Sequence, residues 1–162
     1  MRVSGVFGFG LAPDIIWHRL NEPAFLASVI PGCRKFEESA PQTYDVISAF
    51  GLGPLSIKLK GQVMLDPFSP PQAYHMKATS RHWMGHAGGD ATINLTSVPG
   101  GTAFRYQANI DIGQGLASVG GQVISGTVDS LSRRFFERLA VKLDTELLDV
   151  SDYECGPFIE RP

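Results

Sequence analysis

Two cysteines and four histidines in 162 residues, with a formal net charge of −2, are little to build certain functions from. Cys33 and Cys155 are too few and too far apart in sequence to imply a disulfide framework. No signal-peptide h-region precedes the first structured segment, so a reducing cytoplasmic setting is expected. The scarcity of His and Cys leaves little material for a metal cluster, and no resident cofactor is expected. The charge balance argues against a general nucleic-acid binder, which would offer phosphates an excess of basic groups. No apolar run reaches the roughly eighteen residues of a membrane-spanning helix. Any membrane contact is therefore expected to be transient and peripheral, at the inner face.

The chain has 43% hydrophobic residues, enough for one core, and its length suits a single domain. Eighteen glycines and eleven prolines without a repeat point to many turns and close backbone approaches. Charge is uneven along the chain. Up to Leu143 there are 13 basic and 10 acidic residues; the last nineteen residues carry 1 and 6. The reading is a mildly basic body over 1–143 followed by a loose acidic extension over 144–162, on which Tyr153, Phe158 and Ile159 are candidates for docking.

A short strand opens the chain, followed by two short helices. Pro13 starts the first, with Ile16, Trp17 and Leu20 inward. Asn21 is placed to cap the second near Pro23, with Phe25, Leu26 and Val29 on its apolar side. From Cys33 to Asp111 the pattern is an antiparallel meander of six or seven strands. Leu55, Ile57 and Leu59 alternate with Ser56, Lys58 and Lys60, the period of a strand with one wet face. Gly61 permits a bend; Pro67, Pro70 and Pro71 mark a turn; GHAGG precedes a strand carrying Ala91, Ile93 and Leu95. After the PGG turn, Phe104, Tyr106, Ala108 and Ile110 share one face. From about Leu116, Val119, Val123, Leu131, Phe135 and Leu139 recur at helical intervals, predicting one long helix across the sheet. Asp129, Arg133 and Glu137 lie on its outer side as two i,i+4 pairs, worth about 0.3 kcal/mol each.

This order resembles the helix-grip fold of the START and Bet v 1-like superfamily: an α+β fold whose curved antiparallel sheet wraps a long C-terminal helix. More closely, the chain resembles the CoxG family, the G-subunit proteins associated with carbon monoxide dehydrogenase. The resemblance rests on AFLASVIPGCRKFE, GLGPLSIKLKGQVMLDPFSPPQAY, GHAGGDATINL and GQGLASVGGQVISGTVDSLSRRFFERL, and spans nearly all of residues 1–143. IPGC and the spacing of Gly53, Pro54, Lys60 and Gly61 carry its specificity. It implies a noncatalytic carrier that delivers a hydrophobic ligand, by family a respiratory quinone, to a molybdenum-containing carbon monoxide dehydrogenase-like enzyme. Two departures stand out. His86 and Gly88 occupy positions where relatives often have an aromatic and a basic residue, and the extended C-terminal region of longer relatives is replaced by the short acidic tail.

A cavity between sheet and helix would hold a hydrophobic ligand by removing its area from water, at roughly 25 cal/mol per Å². Ile93, Phe104, Tyr106, Val119, Val123 and Phe135 are the candidate wall, each also compatible with ordinary core packing. Trp83, Met84 and His86 are candidates for its lip. Glycines 113, 115, 120, 121 and 126 either make room for ligand or let backbones approach, since each interior helical glycine costs about 1 kcal/mol relative to alanine. His75, His82 and His86 lack the spacing of a zinc site. Neither Ser118, Ser125 and Ser130 nor Cys33 has a partner pattern for nucleophilic catalysis. Two other functions fit the same fold: recruitment or assembly of the oxidoreductase without ligand transport, and an enzyme acting on an aromatic or polyketide-like substrate.

Overall fold

A computed structural model describes residues 1–162. Strand β1 (Arg2–Phe9) leads into helices α1 (Pro13–Leu20) and α2 (Pro23–Val29). Six strands follow: β2 (Cys33–Ala40), β3 (Thr43–Leu52), β4 (Leu55–Ser69), β5 (Ala73–His82), β6 (Gly85–Val98) and β7 (Gly101–Ile112). Then come a short α3 (Gln114–Ala117), the long α4 (Gly121–Lys142) and a two-residue β8 (Leu147–Leu148). All the strands join one antiparallel sheet in the order β2-β3-β4-β5-β6-β7-β1-β8. This is the helix-grip α+β fold expected from the sequence. Proline at the first helical position starts both α1 and α2, where its missing N–H costs nothing.

The sheet differs from the sequence reading in two places. Pro67 stays within β4, because a register irregularity between Asp66 and Ser69 lets the ladder tolerate a residue without an N–H. GHAGG lies inside β6 rather than ahead of it. As expected, Gly61 does not end β4, and it sits at a close approach: a β-carbon there would run into the Thr79 carbonyl of the adjacent strand. Asn21 also has a different task. It closes α1, its side-chain amide donating to the Trp17 carbonyl at 2.7 Å, while Glu22 precedes α2.

The long helix is not continuous from Leu116. Gly120 has φ +106° and ψ 145°, a backbone conformation open almost only to glycine, so the chain kinks between α3 and α4. Ile124, Phe136, Leu139 and Ala140 are the buried residues of α4. The outer charges Asp129, Arg133 and Glu137 do not close into ion pairs. Pairs form elsewhere instead, Arg19–Glu22 at 2.9 Å and Arg161–Asp66 at 2.8 Å.

The tail is docked rather than loose. Asn94, 1% exposed on the outer face of β6, donates to the Ile159 carbonyl at 3.0 Å and accepts from its N–H at 2.7 Å. The Arg105 guanidinium donates to the Gly156 and Cys155 carbonyls at 2.9 and 3.1 Å and lies 5.5 Å from the Phe158 ring. Val150 is buried with Val98 and Ala103. The acidic segment is held mainly by backbone carbonyls on the sheet's outer face, so the concave face is left to α4.

The α3–α4 joint yields a paired prediction. Gly120→Ala should destabilise the fold by about 1–3 kcal/mol, the cost of forcing a side chain into that conformation. Gly126→Ala, in open space on regular helix, should stabilise it by about 0.5–1 kcal/mol. Urea unfolding of the two variants checks both signs.

Candidate functional site

The inner face of the sheet alternates with the outer one residue by residue. Tyr74 and Met76 on β5, Ile93 on β6 and Phe104, Tyr106, Ala108 and Ile110 on β7 therefore point to the same side, toward α4. The backbone of α4 comes near β3 and α2. Over the middle of the sheet it stands away, and the space beneath is a cavity of about 450 Å³. Its other walls come from Leu20, Leu26 and Ile30 at the α1–α2 end, Val63 and Leu65 on β4, and Val128, Leu131, Ser132, Phe135 and Phe136 on α4.

An aromatic cluster pins the helix beside the cavity. Phe136, 4% exposed, stacks on Phe7 with ring centroids 4.0 Å apart and planes at 11°. It lies over Tyr106 at 5.4 Å and meets Phe104 edge-on at 5.1 Å. Trp17 of α1 meets Tyr74 edge-on at 5.4 Å on the opposite side. Offset and edge-on ring pairs add about 0.5–1.5 kcal/mol beyond the area they bury.

Asp90 and Asn109 also border the cavity, but alternation along β6 and β7 turns their side chains to the outer face. The inward polar side chains are Tyr74, Tyr106 and Ser132. Burial pushes the Tyr74 phenol well above the usual tyrosine range. Burial also raises Tyr106, with the Ser132 hydroxyl opposing that rise and the negative charge of Asp129 adding to it. Burial likewise raises the Cys33 thiol, opposed by a backbone hydrogen bond with Lys35; the thiol itself donates to the Lys35 carbonyl at 3.4 Å. That thiol is a packed group on β2.

Of the nine residues singled out in the sequence, Ile93, Phe104, Tyr106 and Phe135 line the cavity. The other five do not. Val119 and Val123 pack into a second apolar cluster with Leu52, Ile57, Leu116 and Ile124, which closes the far end of the sheet under α3. The kink at Gly120 puts them there. Met84 joins the same cluster, and Trp83 stands 87% exposed at the β5–β6 turn. His86 faces outward, its Nε2 3.2 Å from Asp111 Oδ2. His75 is also on the outer face, with Nδ1 3.1 Å from Thr92 Oγ1 and Nε2 3.6 Å from Asp90. His82 accepts from the Met84 N–H. The three histidines do not converge, and no group of three or more His, Cys, Asp and Glu side chains gathers at metal-binding distance.

Phe136, Tyr74, Met76 and Val63 escaped the sequence reading. The signal for three of them was present as period-two alternation, Tyr74-Met76-Ala78 along β5 and Val63-Leu65 along β4. Phe136 sits three residues before Leu139, an interval that favours it as a buried position as much as Phe135.

The void makes a stability contrast. Phe136→Ala should cost about 3–5 kcal/mol, as for a packed aromatic. Leu131→Ala should cost clearly less than the usual 2–5 kcal/mol for a core leucine, because one side of Leu131 already lacks partner atoms. Guanidinium unfolding of both variants tests the difference.

Among known families, the one described as the carbon monoxide dehydrogenase G subunit (CoxG) matches residues 5–144. No curated protein matches. Among solved structures, a conserved protein from Geobacillus kaustophilus is 19% identical, with a TM-score of 0.83 over 91% of this chain and 99% of that one. A Mycobacterium smegmatis protein is 15% identical, with a TM-score of 0.66 over 88% and 90%. The Zhui aromatase/cyclase from Streptomyces sp. R1128 is 11% identical, with a TM-score of 0.63 over 89% and 93%. These structures share the fold. The match over residues 5–144 places the chain in the CoxG family of carbon monoxide dehydrogenase G subunits.

Proposed function

We propose that this protein is a noncatalytic carrier. It takes a hydrophobic ligand, a respiratory quinone, into the cavity under α4 and delivers it to a membrane-associated molybdenum hydroxylase of the carbon monoxide dehydrogenase type. The observation that carries the reading is the cavity itself. At about 450 Å³ it falls within the range of small-molecule sites, about 300–1,000 Å³, and its wall is hydrocarbon and aromatic with two phenols and one serine hydroxyl. Such a wall binds by exclusion of water. The family description supports the choice of partner.

No helix is long and apolar enough to cross a membrane, so contact with a bilayer falls to the surface. The exposed Trp83 indole at the β5–β6 turn, beside Arg81, has the amphipathic character that suits a lipid–water interface. The second apolar cluster separates this turn from the cavity, and Val128 belongs to both. Ligand transfer then proceeds through movement of α3 and the first turn of α4 about Gly120, whose surroundings are open.

Native mass spectrometry of protein exposed to membrane extract tests the carrier directly. One quinone retained per chain is expected, lost in Ala108→Phe, which fills the cavity from β7. Protein that stays reproducibly ligand-free, while other lipid carriers in the same instrument retain theirs, would contradict the reading and leave recruitment without transport.

A further inference from the structure

The strands place one row of residues across the floor of the cavity. Tyr74 on β5 pairs with Ile93 on β6, Ile93 with Tyr106 on β7, and Tyr106 with Gly5 on β1. The two tyrosines are therefore two strand spacings apart, about 10 Å along the row. Their hydroxyls are in different situations. Tyr106 folds over Gly5: a β-carbon at Gly5 would sit 2.8 Å from both its hydroxyl oxygen and a ring carbon. Its phenol lies with Ser132 and Asp129, on the β1 side and away from Tyr74. Tyr74 is held by Trp17 at its ring edge, in desolvating surroundings and with no protein group hydrogen-bonded to its hydroxyl. Tyr74 is also one of the residues that line the cavity.

The Tyr74 hydroxyl stays reachable, since Arg105 Nε is the one enclosed side-chain polar atom without a partner. Having no protein acceptor of its own, it can donate to a ligand that brings one, at a gain on the scale of one hydrogen bond. Charge narrows the ligand further. The cavity wall contains no Lys, Arg or His, so a carboxylate taken into it would meet no cation and lose its hydration without compensation. Tyr74 is itself held in its neutral, donating form, since burial disfavours the phenolate.

We infer that Tyr74 is the specificity-determining hydrogen-bond donor of the cavity, selecting neutral apolar molecules that carry a carbonyl or ether oxygen over fatty-acid carboxylates and plain hydrocarbons. The inference rests on the carrier reading and adds to it the polar group by which the ligand is recognised. It also assigns different tasks to the two tyrosines: Tyr106 packs α4 against β1, and Tyr74 reads the ligand.

The test uses the full chain with three probes: decylubiquinone, a decylnaphthalene without carbonyl groups, and oleate. Wild-type protein should bind decylubiquinone more tightly than either of the others. Tyr74→Phe keeps the ring and removes the hydroxyl; it should weaken decylubiquinone about tenfold, the scale of one hydrogen bond, and leave decylnaphthalene unchanged. Tyr106→Phe should weaken the quinone less. Infrared spectra of carbonyl-labelled quinone on the wild-type protein should show a stretch lowered from its value in hydrocarbon. Equal quinone affinity in Tyr74→Phe, or an unshifted carbonyl stretch on the wild type, would overturn the role of Tyr74 while leaving the carrier standing; the infrared result holds even if the variant fails to fold. Oleate bound as tightly as the quinone would overturn the selection for neutral ligands. Failure of all three probes to bind the wild type would overturn the carrier reading itself, and this inference with it.

Discussion

The structure depends on how Phe136 is held. A long helix laid over a curved sheet gains most by settling onto it, since apolar surface that faces a void forfeits dispersion and burial energy. Here the stack of Phe136 on Phe7, with Tyr106 and Phe104 around it, fixes α4 over β1 and β7. The helix's backbone approaches β3 and α2 closely. Anchored at these places, it spans the centre of the sheet at a distance, and the cavity is the space it spans. The same rings serve as anchor and as wall.

Alternation along the strands then decides the chemistry of that space. Each strand offers one set of residues to the helix and the other to the outside, so charged and hydrogen-bonding groups are concentrated on the outer face. There they hold the C-terminal segment: Asn94 and Arg105 grip its backbone, and Asp66 pairs with Arg161. Where it lines the cavity the inner face keeps hydrocarbon and aromatic rings, with three hydroxyls once Ser132 of α4 is counted. This division lets an acidic tail and an apolar cavity share one sheet without either disturbing the other. The kink at Gly120 makes a further division, between the cavity and the separate cluster that closes the far end.

Much of the fold was legible because periodicity reports which face is buried. The strand alternation of β4, β6 and β7 and the proline starts of α1 and α2 all appear where the pattern put them. What periodicity could not convey was backbone geometry. A helical spacing runs through Val119 and Val123 whether or not the chain kinks at Gly120, and so two residues assigned to the cavity belong to the neighbouring cluster. For the candidate site, the β-strand walls at Ile93, Phe104 and Tyr106 were readable, whereas Trp83, Met84 and His86 were drawn from local composition, which does not say which side of a hairpin a residue faces. The tail was legible only in part for a related reason: Phe158 and Ile159 stand out as docking candidates, but the side chains that hold the segment, Asn94 and Arg105, are distant in sequence and bind its backbone rather than matching apolar positions.

Whether α4 bridges a cavity that accepts a ligand by its apolar wall is tested most directly by a crystal structure of the full chain grown with a short-chain quinone. Density for the ring is predicted between the Tyr74–Ile93–Tyr106 row and the Leu131–Phe135 face of α4, with one oxygen at hydrogen-bond distance from the Tyr74 hydroxyl. Density confined to the polar outer face, or α4 lying directly on β5 and β6 with no space beneath it, would contradict a ligand-carrying cavity.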